Sequence, residues 1–341
     1  MEWLPTPQFY QPQKVAEIWK IPYQERAEEA RDWAQTYNIT HAITDKYKIG
    51  LLLVDVQNTF CLPDYELFVR GRSGTGAVDD NQRLCEFIYH NLHRITDIIV
   101  TMDTHQAMQI FHAIFLVDQA GNHPSAYTLI SYDDIENGKW LVNPALLNNL
   151  KMNEEQAREH LLHYTKTLKN RGKYNLTIWP YHAMLGSIGH ALVPSLEEAI
   201  FFHTAARYSQ PDIIVKGDHP LTEHYSVIGP EILTRANGRK IARKSSSLLL
   251  KLQKLDALFI AGQAKSHCVS WTIQDLYYQI KKRDPKLVRK IYLLDDCTSS
   301  VVIPNVVDYT EQAEEAYQHF ASAGMHIVKS NKWHFEDIED G

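Results

Sequence analysis

Six short apolar runs constrain this chain more than any other feature. They are KIGLLLVDV (48–56), DIIVTMD (97–103), DIIVKGD (212–218), DALFIAG (256–262), KIYLLDD (290–296) and MHIVKS (325–330). Continuous rather than alternating apolar runs of this length suit strands buried on both faces, as in parallel sheets. Parallel neighbours need crossover connections, and helical periodicity lies between the runs, at NQRLCEFIYHNLHRI (81–95), 195–208, 267–282 and 309–323. Strands alternating with helices predict an α/β fold: a three-layer, doubly wound (Rossmann-like), mostly parallel sheet with helices on both faces.

Two stretches depart from that rhythm. Residues 1–46 are rich in Gln, Glu and Trp, and PYQERAEEARDWAQTY has helical spacing with strong helix formers. They predict an N-terminal helical arm with a packing or oligomer-contact role, followed by one domain over 47–335. Residues 106–180 predict an insertion into the strand 2 to strand 4 region. It carries a helix with Asn153 as N-cap and Gly172 beyond its end. GRSGTG (71–76) lacks the phosphate-loop pattern and is expected to be a flexible loop.

Composition narrows the function classes. The 341 residues are 44% hydrophobic and 22% charged, with a formal charge of -6. That is ordinary for a globular protein and gives no basic footprint for nucleic acid. No apolar run approaches the roughly 20 residues needed to span a bilayer, so no membrane partner is expected. The N-terminus has no basic region followed by an apolar one. Cys61, Cys85, Cys268 and Cys297 form no CxxC pair. These features suit a cytoplasmic protein without a disulfide framework.

Ligands of open α/β sheets bind outside the carboxyl ends of the strands. Asp55, Asp103, Lys216 and the turn Gly262–Cys268 all fall there. A cysteine is most often a small buried hydrophobe. Cys268, however, sits after a strand and at the start of a helix, where the dipole favours a thiolate. Lys216 ends an apolar strand, where an unpaired lysine is costly. A carboxylate such as Asp55 can take a thiol proton, and a nearby ammonium can stabilise the thiolate. Asp103 and His105, spaced i, i+2 at a strand end, share one face. One carboxylate and one imidazole suit zinc, iron or manganese, but two ligands are too few to define a site.

With these residues in place, the chain resembles the isochorismatase-like cysteine hydrolases, and within them the nicotinamidases. The segments that carry the resemblance are LLLVDVQNTF, VTMDTH, WPYH (179–182), IIVKG (213–217), GQAKSHCVSWTIQDL (262–276) and LLDDCTSS (293–300). The resemblance implies a catalytic triad of Asp55, Lys216 and Cys268 acting on an amide through a thioester. It implies a cis peptide at Gln263–Ala264 and an oxyanion hole from the backbone N–H groups of Ala264 and Cys268. It also implies a divalent ion, zinc with iron or manganese as alternatives, held by Asp103, His105 and His182. Phe60 and Trp179 would wall the substrate ring.

The implied reaction is nicotinamide plus water to nicotinate plus ammonia. The alternatives are the same chemistry on another small amide, or a non-catalytic binding or regulatory relative. A homo-oligomer is expected from the aromatic N-terminal arm. Two positions depart from the family: Ala183 stands where a cysteine usually follows the metal histidine, and Gln106 where proline is common. His112 is a candidate further metal contact.

Overall fold

The computed structural model describes residues 3–332, so the last residues of the expected 47–335 domain, 333–335, lie outside the described part. The six apolar runs form one sheet: β1 (Ile49–Val54), β2 (Ile95–Asp103), β3 (Asp212–Lys216), β4 (Ala257–Gly262), β5 (Ile291–Leu294) and β6 (His326–Val328). Its order is β6-β5-β4-β1-β2-β3, and every pairing is parallel. The order reverses direction between β1 and β4. Connections diverge there, and a crevice opens at the carboxyl ends of those two strands.

Why β1 has no polar residue before Asp55 is plain from its packing. Leu51 and Leu53 join one apolar cluster, together with Val100 and Phe259, while Leu52 and Val54 join the other, with Ile99 and Ile260. Both faces of the strand are therefore covered. The first face receives α2 (Gly76–His90) through Leu84 and Phe87, and α4 (Pro194–Arg207) through Leu196 and Phe202. The second receives α5 (Ser247–Leu252), α6 (Ser270–Arg283) and α7 (Thr310–Ser322), through Leu248, Ile273 and Phe320 among others. The expected three-layer, doubly wound architecture is what the chain adopts.

Between residues 1 and 46, α1 (Tyr23–Thr36) is the α-helix and the rest of the described arm is mostly irregular. The arm is tied to its own domain. Arg26 Nε pairs with Glu198 Oε1 of α4 at 2.6 Å, and its guanidinium lies 3.9 Å from the centre of the Phe9 ring. Arg207, fully buried, binds the Thr40 carbonyl and the Asp45 carboxylate. The insertion carries α3 (Glu154–Asn170), which begins in a capping box between Asn153 and Gln156. Two small ladders accompany it, Leu116–Val117 with Leu141–Val142 and Leu129–Ile130 with Leu176–Thr177.

The loop expected at 71–76 is corrected in part. Gly76 opens α2 instead of lying in a mobile loop. A Cβ there would come within 2.7 Å of Ser299 Oγ and 2.9 Å of the Arg70 carbonyl, so close packing holds that end of the segment. Among the described residues no helix is long and apolar enough to cross a membrane.

Candidate active site and metal cluster

The site forms where the sheet order reverses. Asp55, the residue after β1, has φ +47°, a left-handed backbone that Asp tolerates better than most residues. Its amide N–H donates to the Thr101 carbonyl at 3.2 Å, and Thr101 Oγ1 donates to Asp55 Oδ1 at 2.5 Å. Lys216, the last residue of β3, pairs in register with Asp103, the last of β2. Residues opposite one another in a ladder put their side chains on the same face. Lys216 Nζ accordingly lies 3.0 Å from Asp103 Oδ1 and 2.8 Å from Asp55 Oδ2. It also donates to the His224 carbonyl at 3.0 Å and reaches Cys268 Sγ at 3.6 Å. The lysine is 2% exposed, so burial is compensated by two carboxylates rather than by water.

Cys268 sits in the wide turn Lys265–Val269 that leads into α6. That turn passes very close to β1. Gly262 ends β4 with φ +112°, and a Cβ there would fall 2.1 Å from the Val54 carbonyl oxygen. Only glycine fits such an approach. The next peptide bond, Gln263–Ala264, is cis. Gln263 Nε2 is anchored on Asp80 Oδ2 at 2.9 Å, and Lys265 Nζ on Asp295 at 2.8 Å. Ala264, Cys268, Phe60 and Trp179 all line one pocket, together with Asp103 and His182.

The charge distribution follows from this burial. Burial alone would lower Lys216, but Asp103 and Asp55 outweigh it and hold the lysine above its ordinary value. Burial would raise Asp103, yet His105 and Lys216 keep it well below the usual carboxylate range. Asp55 shares the same lysine and is net raised, because burial exceeds the pull of Lys216 and Asp103 repels it. Of the two carboxyl groups, Asp55 is the one that can take up a proton. The Cys268 thiol is pushed well above its normal value by burial, against the pull of Lys216. The helix start at α6 was expected to favour the thiolate. Burial works against that pull here.

Asp103, His105 and His182 offer donor atoms within 4.8 Å of one another, and all three are buried. The fit of these residues to a cation can be tested on the hydrogen bonds. His105 Nδ1 faces the Gly217 carbonyl at 3.1 Å, while Nε2 faces Asp103 Oδ2 at 2.9 Å. Both ring nitrogens meet acceptors, and a neutral imidazole carries one N–H. A protonated ring satisfies both, and so does a cation shared by Nε2 and the carboxylate. His182 Nδ1 bonds the Pro180 carbonyl at 2.7 Å, which leaves the Nε2 lone pair for a ligand, the usual outer support of a metal-bound histidine. The trio fits a divalent metal.

Ala183 has φ +48°, its N–H donates to Thr59 Oγ1 at 3.3 Å, and its carbonyl accepts the His105 N–H at 2.9 Å. The residue after His182 thus ties the two histidines together through its backbone. His112 flanks the trio, with its ring centre 6.0 Å from that of His105 and 5.9 Å from that of His182. Its Nδ1 points to the Gln106 and Ala107 carbonyls, and burial lowers its pKa to about 4.

Several further groups at the site were not singled out as site residues in the sequence. Thr101 and Gln57 hold Asp55 and Asp103 in place; Gln57 Oε1 accepts the Asp103 N–H at 2.7 Å. The segment after β3 brings Glu223, His224 and Tyr225 to the pocket, and His267 joins them. His267 is held neutral, its pKa lowered to about 3 by burial. Glu223 is raised to about 8, chiefly by burial. Glu223, His224 and Tyr225 lie on no periodic element that would have pointed to them, whereas Thr101 lies on β2 and His267 opens the helical run 267–282.

No protein-family model matches the chain, and no curated protein matches its sequence. Solved structures do match. The yeast nicotinamidase Pnc1p bound to the inhibitor nicotinaldehyde is 18% identical, with 82% of this chain and 99% of that chain covered and a TM-score of 0.51. The chain shares its fold with the yeast nicotinamidase. A second structure of that nicotinamidase gives the same identity and coverage at a TM-score of 0.50. An Acinetobacter baumanii nicotinamidase pyrazinamidase is 19% identical, covering 84% of this chain and 98% of that chain, at a TM-score of 0.49. At these identities the likeness concerns the fold, and the chemistry must be argued from the side chains.

Proposed function

We propose that the chain is a metal-dependent cysteine amidohydrolase that converts nicotinamide and water to nicotinate and ammonia. One observation carries the reading: a single buried ammonium, Lys216 Nζ, lies 2.8 Å from Asp55, 3.0 Å from Asp103 and 3.6 Å from Cys268 Sγ. Through it the fully buried acid–base carboxyl Asp55 is joined to the nucleophile and the metal trio, which line one pocket.

Each proton then has a place. Asp55 takes the thiol proton as Cys268 Sγ bonds to the amide carbon. The carbonyl oxygen gains negative charge beside the backbone N–H groups of Ala264 and Cys268. As the C–N bond breaks, Asp55 gives its proton to the departing nitrogen, which leaves as ammonia. Asp55 next takes a proton from water, whose oxygen attacks the thioester carbon, and the proton returns to sulfur as the acid leaves. Lys216 stays charged throughout and offsets the negative charge that passes between Asp55 and Cys268. A divalent ion on Asp103, His105 and His182 would supply a Lewis-acid contact for a ring nitrogen and so orient the substrate. Phe60 and Trp179, both buried and lining the pocket, provide apolar faces for a planar ring.

The donor set of one carboxylate and two imidazoles suits zinc, with iron and manganese compatible. An ammonia-release assay on nicotinamide and a panel of small amides, with metal analysis of the same sample, tests the reading. Release from nicotinamide supports it. Turnover of other amides alone moves the substrate assignment while keeping the chemistry. Ligand and metal binding without any amide hydrolysis overturns it in favour of a binding protein.

A further inference from the structure

We propose that Glu223 is the positioning residue of the pocket's aromatic wall, and that the inserted helix α3 holds it there through Tyr164. The proposal rests on the amidase reading for the identity of the pocket's occupant.

Glu223 lies in the irregular segment after β3 and is 3% exposed. It is a buried carboxyl that the proposed chemistry does not use. Tyr225 Oη donates to Glu223 Oε1 at 2.5 Å, and Trp179 Nε1 donates to the same oxygen at 3.1 Å. The indole N–H also lies 3.0 Å from Tyr225 Oη. On the other side, Tyr164 Oη donates to Oε2 at 3.1 Å and accepts the Glu223 backbone N–H at 3.2 Å. Two of these partners, Trp179 and Tyr225, line the pocket with Cys268, whereas Tyr164 is a fully buried residue of α3.

The network has a single sense. Tyr225, Trp179 and Tyr164 each bring one hydrogen, and the two carboxylate oxygens receive all three. These three donors favour the ionised carboxylate, which accepts only, against the burial that raises Glu223 to about 8. Because one acceptor oxygen serves both the indole and the phenol, it fixes the two rings relative to each other.

The inserted helix secures the segment at other points as well. His160 Nε2 of α3 lies 2.9 Å from the Leu221 carbonyl, and Lys173, just beyond α3, pairs with Glu231 at 2.9 Å. The insertion therefore reaches the substrate pocket directly, through Phe111 and Trp179, and also from behind, through the buried carboxyl of Glu223. Loss of Glu223 would leave two phenols without their acceptor and the indole N–H with Tyr225 Oη alone, freeing the wall to change rotamer. The reacting groups Asp55, Lys216 and Cys268 are not hydrogen-bonded to Glu223, so the loss should fall on ring binding.

Two readouts test this on the metal-loaded full chain, for Glu223→Ala, Glu223→Gln and Tyr164→Phe, with thermal melts to check folding. The first is the steady-state constants on nicotinamide. Glu223→Ala should raise KM by about tenfold, the loss of a hydrogen bond or two, with kcat within about threefold. Glu223→Gln, which keeps one acceptor oxygen, should recover most of it, and Tyr164→Phe should shift KM in the same direction by less. The second is 19F NMR of protein labelled with 5-fluorotryptophan, with the Trp179 signal assigned by Trp179→Phe. That signal should be single and narrow in the wild type, split or broadened in Glu223→Ala, and restored in Glu223→Gln.

An unchanged Trp179 signal in folded Glu223→Ala overturns the proposal, as does a fall in kcat at constant KM. If the wild type releases no ammonia from nicotinamide, the amidase reading fails. The 19F result then decides the role of Glu223 by itself.

Discussion

Replacing Gly217 with alanine probes the metal cluster without replacing a proposed ligand. Gly217 follows Lys216 and has φ +93°. A Cβ there would stand 2.5 Å from Asp103 Oδ1, 2.8 Å from His105 Cε1 and 3.1 Å from His105 Nδ1. Holding an L-residue in the left-handed region costs about 1–2 kcal/mol. Relieving the overlap in a packed site costs about 1–3 kcal/mol more. The carboxylate cannot simply swing away, because Oδ1 is paired with Lys216 at 3.0 Å and Oδ2 with His105 at 2.9 Å. Either movement separates the trio.

Gly121→Ala is the matched control, since Gly121 has φ +87° and nothing within 4 Å of the added carbon. Denaturant unfolding should show a stability loss of roughly 2–5 kcal/mol for Gly217→Ala and about 1–2 kcal/mol for Gly121→Ala. Metal affinity, measured by equilibrium dialysis and elemental analysis, should fall by about 10–100-fold in Gly217→Ala only, because ligand orientation is lost. Equal stability losses in the two variants, with an unaltered metal-to-protein ratio, would refute both the close packing and the metal assignment.

Three further outcomes are expected. Cys268→Ala should abolish ammonia release while melting close to the wild type, and substantial residual turnover would remove the cysteine from the nucleophile role. His182→Ala should lower the metal-to-protein ratio, and an unchanged ratio would exclude His182 from the ligand set.

The third concerns His203, which is fully buried with Nε2 on the Ile95 carbonyl at 2.8 Å and has its pKa lowered by burial to about 4. The folded state resists protonation that the unfolded chain accepts near 6.5, so stability from this group is present above 6.5 and is lost as pH falls toward 4. Between pH 7.5 and 4 the stability advantage of the wild type over His203→Gln should shrink by about 3 kcal/mol. A difference independent of pH would show that His203 is not buried in its neutral form.

Much of the fold was legible because burial on both faces leaves a mark on a strand. Leu51, Leu52 and Leu53 alternate between two cores, so all three must be apolar, and the same holds for Leu258, Phe259 and Ile260. Asp55, Asp103, Lys216 and Cys268 stood out because each interrupts such a run or follows it directly. The loop at 71–76 was read as free throughout; Gly74 does have open space around it, while Gly76 is glycine for lack of space beside Ser299. The burial that opposes the helix start at Cys268 could not be read from the chain, because position along a helix follows from residue order and desolvation does not.

By itself the sequence determined a doubly wound sheet and the residue types gathered at its carboxyl edge, because strand period and chain order are local properties. Tertiary structure alone decided which of those residues touch. The in-register pairing of Asp103 with Lys216 and the close approach of Gly262 to Val54 bring three strand ends to one ammonium. Glu223, Tyr164 and Trp179 meet from three separate segments. Contacts of that kind depend on how elements pack against one another, and no periodicity within a single element encodes them.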